Sequence, residues 1–351
     1  MNNPIKNEYR ASNRKKVMFI LIFVMIMVAS VFITLGFGVF KITLYDALVT
    51  FFNHLTNNIT DERADWYIWG VRLPRALGGL IVGAALGVAG VIMQNDFKNP
   101  LAEPYTMGIS SGAFLGAILS IILGISIVPF VPTGYATVVN AFLMALVPTL
   151  VIIVVSRFKK LTPTAMILTG IAIMFLFSAI CQYIMVTAPS ESMADAYAWR
   201  VGTLAKIGWD TLDIITIPSI VLIVVLWLLY DKLNVMYAGD KGCKSLGEDA
   251  PRLRIVTLVL VSLLVATVVS FTGTIGFIGL VGPHVARVFV GSNNKYLIPA
   301  AAAFGAAFLI VADTVAKVTG ANGLPVGVIS SLVGGPLFMW ILVKQRKNVW
   351  A

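Results

Sequence analysis

Apolar residues along this chain come in long, nearly unbroken blocks separated by short polar stretches. Ten blocks run at about 17–40, 75–93, 106–128, 136–156, 165–187, 212–230, 253–271, 276–290, 297–316 and 326–343. A helix needs roughly 20 apolar residues to cross a bilayer core, and most of the blocks reach that length. The pattern predicts an all-α polytopic membrane protein with about ten transmembrane helices. The block at 276–290 is short and interrupted by Gly and Pro, so its ends are the least defined. Residues 1–16 form a polar, basic tail, and residues 17–351 a single membrane-spanning domain. A basic start before an apolar run is also the form of a signal peptide, with Val28-Ala29-Ser30 as a weak cleavage site. The run continues well past that site, which favours a first spanning helix.

Small residues are placed regularly within the blocks. Gly79, Gly83 and Gly87 recur at i, i+4 and i+8 on one helix face, with Gly90 nearby. Such a face lets backbones approach closely where lipid supplies no apolar driving force between helices. Two stretches break the helical pattern in roughly matching halves of the chain, 94–112 (QNDFKNPLAEPYTMGISSG) and 272–291 (TGTIGFIGLVGPHVARVFVG). Broken backbone at membrane depth survives only where protein shields it or where it lines an aqueous cavity. Paired interruptions of this kind point to a translocation site.

Composition closes off other classes. Of 351 residues 58% are hydrophobic and only 12% charged, with mean hydropathy +0.91. Soluble domains are about 45–50% apolar and about 25% charged, so a soluble enzyme, a disordered chain and a secreted disulfide scaffold are excluded. The net charge of +10 sits in short tracts beside apolar blocks, such as Arg14-Lys15-Lys16 and Arg157-Phe158-Lys159-Lys160. No basic face interleaved with aromatics is present, so the partner of this charge is membrane lipid and not nucleic acid. If the N-terminus lies inside, 19 of the Lys and Arg residues fall on the inner side and 7 on the outer. That bias predicts a multi-pass protein of the cytoplasmic (plasma) membrane with both termini cytoplasmic.

The motifs of catalysis are missing. His54 and His284 are far apart, and neither Cys181 nor Cys243 belongs to a metal-binding pattern. There is no H-E-x-x-H and no Gly-x-Ser-x-Gly. Asp313 and Lys317, four apart near a helix end, are expected to form an ion pair. The run Gly239-Asp240-Lys241-Gly242-Cys243-Lys244-Ser245 faintly resembles a phosphate-binding loop. It lacks adjacent Gly-Lys and has two residues where four must separate the glycines. No row of intramembrane Asp, Glu or His offers a proton relay, so an ion-coupled carrier and a membrane-embedded enzyme are both poorly served. The energy for a pump would come from a partner.

Five segments, in order, carry a family resemblance. They are VRLPRALGGLIVGAALGVAGVIMQNDFKNPLAEPYTMGISSGA (71–113), MILTGIA (166–172), GDKGCKSLG (239–247), GTIGFIGLVGPHVARVFVG (273–291) and LPVGVISSLVGGPLFMWIL (324–342). Together they resemble the membrane-spanning permeases of iron-siderophore, haem and cobalamin ABC importers, the FecCD type. The resemblance implies the type II ABC importer permease architecture, a ten-helix subunit enclosing one pathway with a second, identical or paralogous permease. It further implies two cytoplasmic ATPase subunits, which would hold ATP and magnesium, and an external substrate-binding protein. No cofactor and no catalytic residue is implied for this chain.

The resemblance also carries roles. Arg72 and Arg75 match external arginines that receive acidic residues of the binding protein, and Lys317 stands where the family has a third arginine. Lysine keeps the charge but loses bidentate pairing with a carboxylate. Asn99 and Leu101 match one loop of a cytoplasmic gate, and Pro163 and Thr164 occupy the place of the other. A plain helix-capping turn is an equal reading of the latter. Gly239, Asp240, Lys241, Gly242, Cys243, Lys244, Ser245, Leu246 and Gly247 correspond to the segment that docks into the ATPase. Many relatives carry Glu just before the Leu-Pro-Val-Gly sequence, where this chain has Gly323. The implied cargo is a metal chelate, an iron(III)-siderophore complex ahead of haem or cobalamin.

Overall fold

A computed structural model of the chain describes residues 4–158, 162–320 and 323–344. Lys159, Lys160 and Leu161 lie outside the described residues, as do Arg346 and Lys347 of the basic C-terminus. Among the described residues, ten helices have at least 13 residues. They are α1 (Pro4–Leu35), α2 (Leu73–Phe97), α3 (Ile109–Ile121), α4 (Ala136–Phe158) and α5 (Pro163–Val186). After them come α6 (Trp209–Leu228), α7 (Ala250–Thr272), α8 (Ile278–Val290), α9 (Asn294–Val318) and α10 (Val326–Lys344). Seven contain a stretch long and apolar enough to span a membrane; α3, α8 and α10 contain shorter apolar stretches. The first helix begins inside the segment read as a tail, at Pro4.

The helix bounds follow from local chemistry. Pro74 sits in the first turn of α2, where its missing N–H costs nothing, and a wider π-helical turn, Trp66–Arg72, leads into it. Asp249 caps α7 by accepting from Arg252 N, and Asn293 caps α9 by accepting from Lys295 N. Thr162 caps α5 by accepting from Ala165 N at 3.2 Å, with Pro163 as the first helical residue. The capping reading is therefore realised at Thr162–Thr164.

α2 is the central helix, with 83% of its most apolar window buried, against 17% for α1. Its glycine face is why. A Cβ on Gly90 would lie 2.6 Å from the carbonyl carbon of Gly279 on α8. Cβ atoms on Gly83 and Gly87 would strike the backbone of Gly305 and Ala301 on α9. On the other side of the bundle Gly112 and Gly116 bring α3 against the backbone of α4 at Met144 and Asn140.

α3 and α8 have 13 residues each, a rise of about 20 Å against a hydrocarbon core of about 30 Å. The missing length is made up by irregular backbone that enters the bundle, as the two broken sequence stretches predict. The 98–108 loop folds back beside α2, and the 273–277 turn lies against it. The Tyr105 hydroxyl donates to Ile275 O (2.5 Å) and accepts from Ile275 N (2.9 Å). The two interruptions, about 170 residues apart, thus satisfy one another's polar groups inside the bundle.

Candidate functional site

Three places gather the polar chemistry. At the end of the bundle where α2 begins and α9 stops, Arg72, Arg75 and Lys317 line one cavity of about 420 Å3, together with Phe40, Tyr67 and Gly323. Asp313 lies at their centre. It takes Nη2 of Arg75 at 2.7 Å and Nε at 3.0 Å, and Nζ of Lys317 at 3.0 Å. The expected Asp313–Lys317 pair is present, and Arg75 joins it. Asp313 and Lys317 are almost fully buried, whereas the Arg75 side chain keeps 16% of its surface. Arg72 is also buried: Nη1 donates to Leu35 O (2.6 Å) and Nη2 to Phe40 O. Its guanidinium closes the connection after α1 instead of pointing outward, which the sequence pattern does not reveal. Arg75 and Lys317 face the one carboxylate and Arg72 lines the same cavity, so the three cations and Asp313 leave the cluster two charges positive.

The second place is a cavity of about 670 Å3 beside the crossing of the two broken segments. Its wall draws Tyr105, Ser111 and Phe114 from the first interruption and α3, Thr274 and Gly276 from the second, and Ser331 from α10. Met174, Ser178 and Cys181 of α5 line it too, and Arg200 is the one cation among its lining residues. Glycines hold the corner that carries Arg200, at the end of the short helix Ser190–Val201. Gly202, Gly273 and Gly327 come so close to the backbone of Thr274, Trp199 and Val201 that any Cβ there would collide. Thr203 N donates to Thr272 O (2.7 Å) and Gly327 N to Gly202 O (3.2 Å). These contacts explain the glycines of the 273–291 and 324–342 motifs: both are needed to seat one corner.

The third place is the opposite end of the bundle, where α2 stops and α7 starts. The 239–247 segment forms the helix Gly239–Ser245, entered and left through Gly239 and Gly247 in left-handed conformations (φ +81° and +84°). Cys243 anchors it, fully buried with Sγ donating to Val235 O. Burial pushes this thiol above the ordinary range; Asp240 adds to the effect, and Lys98 and Arg254 oppose it. Lys241, Lys244, Ser245 and Leu246 face outward. Asp240 pairs with Nη2 of Arg254 at 3.1 Å, and the buried Arg254 donates through Nε to Asp96 O (2.8 Å) on α2. Thr257 donates to Asp96 Oδ2 (2.6 Å), and Asn95 Nδ2 to Leu233 O (2.9 Å). The short helix is thereby tied to the last turn of α2, immediately before the loop with Asn99 and Leu101. There Lys98 adopts a left-handed conformation (φ +48°), Asn99 Oδ1 accepts from Leu101 N (2.9 Å), and Leu101 is half exposed. Pro163 and Thr164 start α5, whose Gly170 abuts the backbone of Met107.

Arg254, Asp96 and Arg287, which donates to Gln94 Oε1 at 3.1 Å, form a buried polar layer that sequence reading missed. The signal was there in Gln94-Asn95-Asp96, a polar triplet at the end of an otherwise apolar helix.

Known proteins match this arrangement along nearly the whole chain. The model of the FecCD transport family covers residues 25–344. The hemin transport system permease protein HmuU of Yersinia pestis is 37% identical over 305 residues, 86% of this chain and 90% of that protein. The Fe(3+)-citrate import system permease protein YfmE of Bacillus subtilis is 33% identical over 345 residues, 98% of this chain and all of that protein. The cobalamin import system permease protein BtuC of Halobacterium salinarum is 36% identical over 283 residues, 80% and 74% of the two. A solved metal-chelate-type ABC transporter in an inward-facing conformation superposes with a TM-score of 0.82 at 29% identity, covering 93% of this chain and 99% of that one. This multi-pass membrane protein belongs to the FecCD transport family, the permease subunits of ABC importers.

Proposed function

We propose that this permease carries a large metal chelate, an iron(III)-siderophore complex, into the cell across the plasma membrane. The observation that carries the reading is the 670 Å3 cavity built where the two interrupted segments cross. Its wall combines hydroxyls, two aromatic rings, apolar side chains and backbone with a single cation, Arg200, a mixed surface suited to passing a bulky, oxygen-rich complex without trapping it. Relatives named for hemin, Fe(3+)-citrate and cobalamin support a chelate as the cargo class.

The remaining parts take their places around that pathway. The cavity lined by Arg72, Arg75 and Lys317 receives acidic side chains of a substrate-binding protein, the buried Arg72 and Lys317 contributing charge rather than direct contact; the net positive charge of the cluster supports this. Arg75, the least buried, makes the first contact. The Gly239–Ser245 helix, with Leu246 and Gly247, faces the cytoplasm and seats in a partner ATPase, which holds ATP and magnesium. Its link through Arg254 to Asp96 couples ATPase movement to the gate at Asn99 and Leu101, with Pro163 and Thr164 bordering it on α5. The start of α1 and the end of α10 lie on the Gly239 side, which supports a cytoplasmic location for both termini. A second permease, identical or paralogous, closes the other wall of the pathway.

The test is uptake by cells lacking their own chelate permeases and given this chain with its ATPase and binding protein. Radiolabelled ferric siderophore is expected to enter in an ATP-dependent, saturable way. Entry of haem or cobalamin instead reassigns the cargo, and entry of none of them refutes the chelate reading.

A further inference from the structure

We infer that Arg200 is the anchor of a cargo subsite in the pathway, taking a carboxylate or another anionic oxygen group of the chelate. The inference rests on the importer reading above and narrows its cargo to anionic chelates.

Arg200 sits on the rim of the 670 Å3 cavity, and no Asp or Glu is among the lining residues. Among the described residues no carboxylate forms an ion pair with it. This sets it apart from Arg75, Arg254 and Lys317, each of which faces a carboxylate. The guanidinium lies over the ring of Phe114, 5.4 Å from its centroid, and Phe114 is itself nearly buried. This cation–π contact holds the exposed head group beside the cavity wall, and among the described residues no protein group accepts from its N–H edges. The backbone beneath is equally fixed, because Thr274 Oγ1 donates to Arg200 O and Gly202, Gly273 and Gly327 leave the corner no room to shift.

The surroundings supply the rest of a subsite for an oxygen-rich anion. Ser111 and Ser331 spend their hydroxyl protons on the backbone oxygens of Gly108 and Gly327, so each faces the cavity as an acceptor. Such acceptors suit the hydroxyl or amide N–H groups that a chelate carries beside its anionic oxygens. A positive cavity with low-dielectric walls concentrates anions, and a planar five-donor fork suits a carboxylate. A single such contact, flanked by weak ones, orients a passing cargo without trapping it.

The experiment uses the purified permease–ATPase complex in nanodiscs, without the binding protein, and measures equilibrium binding of radiolabelled ferric citrate and of uncharged cobalamin. Ferric citrate is expected to bind and to weaken as salt is raised, with Arg200→Gln lowering its affinity about tenfold, the loss of one charge-assisted hydrogen bond. Arg200→Lys should retain most of that affinity, while Lys206→Gln, an exposed cation away from the cavity, should bind as the unaltered complex does. Cobalamin binding should respond neither to salt nor to Arg200→Gln. Ferric citrate binding that is indifferent to salt, or equal in Arg200→Gln, overturns the subsite; the salt dependence is read on the unaltered protein and does not depend on the variant folding. If chelate uptake by the complete importer stands while these results fail, the subsite alone falls. If uptake itself is absent, the importer reading falls with it.

Discussion

Single residues decide how closely this bundle closes and which of its charges are tolerated. Gly90 has almost no room: a methyl group there would press on the backbone of Gly279, which has no side chain to yield. Gly90→Ala is therefore expected to force α2 and α8 apart at a cost of about 1–3 kcal/mol, seen as a lower denaturation midpoint of the purified protein. Gly134, with nothing within 4 Å of its would-be Cβ, should accept alanine without a measurable shift. Asp313 is the matching case for charge. It is the shared counter-ion of Arg75 and Lys317, and Asp313→Asn would leave two neighbouring buried cations unbalanced. Removing one partner of a buried pair costs about 3–5 kcal/mol, so this variant should express poorly or melt early. Asp313→Glu, which keeps the charge, should recover part of the loss. Arg72 belongs to the same cluster in sequence terms, yet it acts as a tie to Leu35 O and Phe40 O, so charge reversal there would damage the fold before it tested docking.

At the scale of elements, the short helix Gly239–Ser245 has too few residues to be stable alone. Its shape depends on Cys243 packed beneath it and on the Asp240–Arg254–Asp96 chain beside it. Arg254→Met removes that chain while filling most of the volume. Hydrogen exchange across residues 239–247 is expected to quicken about tenfold or more in this variant, the consequence of losing charge-assisted hydrogen bonds, while exchange in the middle of α9 stays as it was. Unchanged protection at 239–247 would mean that Cys243 and the flanking turns hold the helix without Arg254. The short helices α3 and α8 make the complementary point. Neither spans a bilayer by itself, and each depends on the irregular segment before it, pinned by the Tyr105–Ile275 hydrogen bonds.

Across the whole molecule, burial is uneven in a way that speaks to assembly. α2, α7 and α9 are mostly buried, whereas α5 is largely exposed, with Phe175, Tyr183 and Val186 each more than half uncovered. On α10, Leu332, which lines the 670 Å3 cavity, and Met339 are likewise exposed. In the proposed assembly these helices meet the second permease. Native mass spectrometry of the gently solubilised importer should report two permease chains for two ATPase chains, and a single permease chain per complex would contradict the pairing.

The sequence by itself determined the ten apolar blocks of a membrane protein and the family it joins, because length, apolarity and motif order are local properties; it did not show the short helices Leu44–Leu55 and Ser190–Val201 between the blocks. It also announced the glycine face of α2, since helical periodicity alone places Gly83, Gly87 and Gly90 toward neighbours. It could not say that Arg72 is spent on the backbone after α1, that Asp313 serves two cations, or that Arg254 joins the 239–247 helix to α2. Those facts depend on atoms brought together from distant parts of the chain, and a charge pattern carries no record of the partner a charge will meet. The two interrupted segments were visible as interruptions, but their crossing at Tyr105 and Ile275 was decided only in three dimensions. Backbone freed by a broken helix at membrane depth needs partners in the protein or in a water-filled cavity, and the Tyr105 hydroxyl supplies two of them to Ile275.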